Sequence, residues 1–205
     1  RGIIDPVKKL DLLDSKSLLT LQREAVENAG QNPDALGLIP EVTDGVNTDW
    51  LDEIFRRGIL QQYQLTLKGG DSNSSYYISA SYRGEEGVQL NNKFERLSGT
   101  INLDEKVTKK LSVGTNISLS RSLNKRVKGD NFLDGVYSGA LKSLPYNVPY
   151  DESGALVGPG SPLYAAFPNF NPVAQALLPR FDAITVKLLG GLNAGYRVND
   201  NFFIK

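Results

Sequence analysis

Glu85 and Glu86 are the first residues in this chain that could do chemistry, since paired carboxylates are the acid and base of glycoside hydrolysis. That reaction needs two carboxyls about 5 to 10 Å apart and facing one sugar. Neighbours in sequence point apart, so a solvated loop tip is the expected role for this pair. Asp130, Asn131 and Asp134, and likewise Asp44, Asn47 and Asp49, offer oxygen ligands for calcium. Neither group fits the twelve-residue EF-hand loop, and capping and turn roles are expected instead. Gly158-Pro159-Gly160 follows no predicted strand and lacks the lysine of a nucleotide-binding loop. Trp50, the single Trp, could stack on a sugar or anchor an amphipathic helix beside Ile54 and Phe55. Tyr137, Tyr146, Tyr150, Tyr164, Phe167 and Phe170 crowd one Pro-rich segment. They form either that segment's private core or a surface for a sugar or a lid protein.

Composition narrows the chemistry further. The chain has 205 residues and contains no Cys, His or Met. That removes thiolate nucleophiles, disulfides and zinc–thiolate sites, together with the usual general base and commonest metal ligand. Any catalysis would have to run on carboxylates, Lys, Tyr or Ser–Lys pairs; with no convincing acid/base pair among them, no catalytic, cofactor-binding or metal-binding residue is expected, and no cofactor. Without Met, Arg1 is not a translation start, so the sequence is expected to be a processed chain, a subcloned piece or part of something longer. Lys and Arg total 23, as do Asp and Glu, so there is no electrostatic footprint for a nucleic acid. Nothing resembles a signal peptide or an apolar run of about 20 residues, which excludes a helical membrane protein. A membrane β-barrel is not excluded, because its strands alternate and leave little hydropathy signal.

Alternation is what the positioning elements show. Tyr76, Ile78, Ala80 and Tyr82 share one face of a predicted strand over 76–83, against Tyr77, Ser79, Ser81 and Arg83. Over 111–121, Leu111, Val113, Thr115, Ile117 and Leu119 oppose Ser112, Gly114, Asn116, Ser118 and Ser120. Further strands are predicted at about 60–68, 93–103 and 184–198, with another beginning at Phe202. The polar faces are Ser, Gly and Asn rather than Lys and Glu. A barrel wall with lipid outside and a wet lumen needs that chemistry, although a soluble sheet with one buried face also alternates. Residues 1–58 read as helix and loop. Asp14 or Ser15 caps a helix to about Ala29 that presents Leu18, Leu21, Ala25 and Ala29, and a second helix from Thr48 or Asp49 ends at Gly58. Residues 84–92 and 122–183 read as loops, the latter carrying seven prolines. Turns at 69–75, 104–110 and 199–201 are short, and they alternate with the longer connections. Short turns at one end and long loops at the other are the asymmetry of outer-membrane barrels.

Thr48-Asp49-Trp50-Leu51-Asp52-Glu53-Ile54-Phe55-Arg56-Arg57-Gly58 resembles an element of SusC/RagA-type TonB-dependent outer-membrane transporters. Residues 61–70 (QQYQLTLKGG), 76–87 (YYISASYRGEEG), 94–104 (FERLSGTINLD), 111–116 (LSVGTN) and the Asn171-Pro172 pair keep that family's order. The resemblance implies an all-β fold, an antiparallel meander forming part of a barrel of about 22 strands, with short helices in the long extracellular loops. It also implies an importer of glycans, oligosaccharides or peptides in the bacterial outer membrane. Its expected partners are a SusD-like lipoprotein lid, TonB acting through an N-terminal part with its plug, the remaining barrel strands, the lipid bilayer and the substrate. In that register 1–58 is a helical extracellular loop region, 59–121 are barrel strands, and 122–183 is a long extracellular loop. Residues 184–205 are a strand, a turn and the start of the next strand. The chain is then expected to begin just after the first barrel strand, stop inside the seventh, and lack the plug. Tyr76, Tyr82 and Tyr196 are candidates for membrane-interface aromatics or for ordinary sheet packing. The rival reading is a soluble secreted β-sandwich that binds carbohydrate.

Overall fold

In a computed structural model of the chain, residues 1–6, 10–35, 45–129, 135–161, 164, 170–199 and 201–205 are described. They form one seven-stranded antiparallel sheet in which each strand pairs with the next in sequence. The strands are β1 (Gly2–Ile4), β2 (Gly58–Gly70), β3 (Ser74–Glu86), β4 (Lys93–Lys106), β5 (Leu111–Arg126), β6 (Phe181–Asn199) and β7 (Phe202–Ile204). Among the described residues, four α-helices, α1 (Ser15–Asn28), α2 (Trp50–Ile54), α3 (Val136–Lys142) and α4 (Pro172–Leu177), lie in the connections.

The meander is as alternation predicts, but several boundaries move. Residues 2–4 pair with β2, opposite Leu60, Ile59 and Gly58, where only loop was expected. β5 runs on to Arg126, β6 starts at Phe181, and β3 includes Glu85 and Glu86 rather than leaving them in a loop. Periodicity reports burial, whereas pairing continues past the point at which both faces turn polar. At about 3.4 Å per residue, the sixteen residues of β5 exceed the nine to eleven that span a bilayer.

Register sorts the side chains into ladders. Leu65, Ala80, Gly99, Leu119 and Leu188 form one row, and Leu67, Ile78, Ile101, Ile117 and Gly190 the next. On the other face run Gln64, Ser81, Ser98, Ser120 and Lys187, then Thr66, Ser79, Thr100, Ser118 and Leu189. No second layer covers the apolar face among the described residues: Leu65 is 75% exposed, Leu188 70% and Leu192 86%. A β-sandwich would bury that face, so the sandwich reading fails.

The hydrophobic core lies at one end of the sheet instead. Trp50, Leu51, Ile54, Val136, Ala140, Val157, Tyr164, Val173 and Ala176 form it, drawn from α2, α3, α4 and nearby loop. The three longer connections thus fold together as a crown. At the opposite end the turns are closed by short polar side chains. Asp71 Oδ1 accepts from the amides of Asn73 (2.7 Å) and Ser74 (2.9 Å), and Thr108 Oγ1 from that of Leu111 (2.9 Å).

Two helix expectations change. The α1 cap is Asp14, which accepts from the Ser17 amide at 2.7 Å, but the inward face is not the predicted one. Ser15 and Leu19 are buried, whereas Leu21 is 51% exposed. The polar contacts of Ser15 with Val46 and Asn47 turn the helix, and these lie far away in sequence. α2 is capped by Asp49 and ends at Ile54, four residues before Gly58, because Phe55 is already extended and bridges Gln89.

Candidate functional site

α2 is placed by hydrogen bonds that reach across the crown. The Thr48 amide donates to the Pro145 carbonyl (2.7 Å), its hydroxyl to the Asn147 carbonyl (2.7 Å), and Trp50 Nε1 to the Leu144 carbonyl (2.9 Å). Asn171 joins the other elements. Its Oδ1 caps α4 at the Val173 amide (2.9 Å), while Nδ2 donates to the carbonyls of Pro149 (2.8 Å) and Val157 (2.6 Å). The 87–92 loop is sewn in through the Leu90 amide to the Ile54 carbonyl (2.8 Å) and Asn91 Nδ2 to the Ala176 carbonyl (2.7 Å). Asn91 adopts φ +63°, a left-handed conformation that Asn tolerates better than most residues.

This geometry allots the predicted aromatics to different roles. Trp50 is 2% exposed and meets Tyr164 edge to face at 6.5 Å, so its ring has no face open to a sugar. Tyr164 (4% exposed) and Tyr146 (9%) are also interior, the latter donating to Gln22 Oε1 on α1. Burial pushes both phenols above their ordinary pKa. Ser143 and Asn147 partly offset this at Tyr164, as Gln22 does at Tyr146. Tyr137 is half-buried against Phe55, with ring centres 5.9 Å apart. Tyr150 and Phe170 are exposed, and Phe167 lies outside the described residues. The chemistry weighed at Glu85 and Glu86 has no geometric support. As strand neighbours they point to opposite faces, Glu85 pairing with Arg83 at 3.1 Å and Glu86 standing 4.0 Å from Arg56. Asn47 and Asp49 act as hydrogen-bond acceptors for Ser15 and the start of α2, while Asp44, Asp130, Asn131 and Asp134 lie outside the described residues.

On the apolar face, Tyr82 stands near the crown, with Tyr76 and Tyr196 towards the short turns. Tyr82 stacks on Tyr63 at 6.4 Å and donates to Glu95 at 3.4 Å. Its ring leans towards Gly84, where an added Cβ would meet the phenol oxygen at 2.7 Å. Glycine is therefore what lets this ring reach towards the crown. Tyr63 was not singled out from the sequence, because only register shows that it faces Tyr82. The polar face is joined by hydroxyl pairs, Ser81 to Ser98 at 2.9 Å and Thr100 to Ser118 at 3.3 Å.

No family model matches the chain. It is 34% identical over 137 residues to TonB-dependent receptor P3 of Formosa agariphila, across 67% of this chain and 12% of that protein. It is 31% identical over 65 residues to TonB-dependent receptor SusC of Bacteroides thetaiotaomicron, across 32% of this chain and 6% of SusC. The chain thus spans a small part of the curated relatives it matches. Among solved structures, the RagAB peptide transporter superposes with a TM-score of 0.73 over 97% of this chain and 25% of that one, at 20% identity. That second likeness is one of fold. Sequence, ladder chemistry and fold agree: the chain belongs to the SusC/RagA type of TonB-dependent receptors of the bacterial outer membrane, and is a stretch of their barrel.

Proposed function

We propose that this chain is part of the wall and outer rim of an importer that moves glycans, oligosaccharides or peptides across the outer membrane, and that it performs no catalysis. The observation that carries this reading is the pair of opposed ladders, aliphatic on one face and Ser, Thr and Asn on the other. A wall between lipid and a wet lumen requires both. In this arrangement the crown is extracellular and the turns closed by Asp71 and Thr108 are periplasmic. Tyr63 and Tyr82 mark the outer interface, with Tyr76 and Tyr196 at the inner one. Among the described residues, the phenol of Tyr150 and the ring of Phe170 have surface to offer a cargo or a SusD-like lipoprotein lid. TonB would act through a part of the receptor outside this sequence, and other strands would complete the barrel. The test is uptake of labelled oligosaccharides and peptides by cells with and without the whole receptor, and with and without TonB. Uptake that needs both is expected. Unchanged uptake in both deletions would sink the proposal.

A further inference from the structure

The polar face carries a charge imbalance that its own side chains do not resolve. From the ladder row of Gln62 to that of Lys68 it holds Arg83, Arg96, Lys187 and Lys68, and no carboxylate. Arg83 and Arg96 are direct cross-strand partners. Like charges placed opposite one another destabilise a sheet, so an anion held between them is favoured. Glu85 supplies one in part: its Oε2 accepts from Arg83 Nε at 3.2 Å. Arg96 has no ion pair among the described residues, and its other ladder neighbour is the neutral Ser122. Lys187 lies one row towards the short turns and Lys68 two rows beyond it. The next carboxylate on this face is Asp104, a row further on. A group moving along this face from the crown towards the short turns therefore meets cations in succession. A guanidinium fork matches a carboxylate or sulfate with paired hydrogen bonds, in a way that water or a neutral hydroxyl does not.

Resting on the reading of this face as an importer's inner wall, we infer that Arg83 and Arg96 form an anion-binding station on the transport path, and that the cargo carries a carboxylate or sulfate group. Lys187 and Lys68 continue the track towards the periplasm.

The experiment uses the whole receptor in cells fed a mixture of neutral and acidic oligosaccharides and peptides. The spent medium is resolved by anion exchange and mass spectrometry, which separates uronate- or sulfate-bearing sugars from acidic peptides. Receptor in the membrane is counted by surface labelling. Receptor-dependent depletion of acidic compounds is expected, cut about tenfold by Arg96→Gln and by less in Arg96→Lys, which keeps the charge but loses the fork. Depletion of neutral compounds alone overturns the inference while leaving the importer standing. So does acidic uptake that Arg83→Gln and Arg96→Gln leave untouched. If the Gln variants instead lower the receptor's thermal stability with uptake per receptor unchanged, the pair serves an internal carboxylate and the inference falls. Depletion of nothing, with the receptor in place, removes the importer reading as well.

Discussion

Trp50 shows how one side chain can hold a crown together. It combines a large buried ring with a hydrogen bond whose acceptor lies 94 residues away. Trp50→Ala is expected to cost about 3–5 kcal/mol of crown stability. Trp50→Phe keeps most of the packing but strands the Leu144 carbonyl, for about 1–3 kcal/mol. Hydrogen exchange on the whole receptor would read this as faster exchange in 47–57 and 136–177, with β2 to β5 unchanged. The buried phenols add a pH limit. Tyr146 and Tyr164 have folded pKa values raised by burial. Their contribution is therefore complete below the unfolded value of about 10 and declines as pH rises from there towards the folded values. Crown protection should fall above about pH 10, together with the appearance of tyrosinate absorbance, and Tyr146→Phe should reduce the effect.

At the scale of elements, α1 separates what its sequence spells from what its neighbours decide. A cap at Asp14 or Ser15 was legible, because a short acceptor before a helical run favours that use, and the structure selects Asp14. The buried face was not, since Leu18, Leu19 and Leu21 allow more than one apolar stripe and the choice is made by Val46 and Asn47. Leu19→Ala should accordingly destabilise the docking of α1 by about 2–3 kcal/mol. Leu21→Ala should change it by under about 0.5 kcal/mol. Protease cleavage within 15–28, measured on the intact receptor, would distinguish the two. The strands from β2 onward were legible because alternation is written locally, but β1, three residues long, was not, and neither was the pairing register. Arg83 and Arg96 therefore became neighbours only in the folded sheet, as did Tyr63 and Tyr82. The aromatics of the Pro-rich segment could not be divided between core and surface by composition, because the partner that buries Trp50 and Tyr164 comes from both long connections at once.

For the whole molecule, the decisive contrast is between two adjacent residues of β6. Leu188 and Leu189 are 70% and 69% exposed in this chain, yet they stand on opposite faces. In a bilayer, Leu188→Arg sets a charge against lipid and should cost about 2–4 kcal/mol, while Leu189→Arg faces the lumen and should cost little. Unfolding of the whole receptor in bilayers would measure both, and equal costs would contradict the assignment of the faces. The crown has a mechanical consequence of its own. One half enters beside β2 and the other leaves from β5, so the hydrogen bonds from Thr48 and Trp50 to 144–147 bridge the heads of four strands. Adjacent strands sit about 4.8 Å apart, which makes that reach roughly 15 Å. The crown therefore behaves like a tie beam across a set of barrel staves. It fixes the chord between their ends, and with it the local curvature of the hoop.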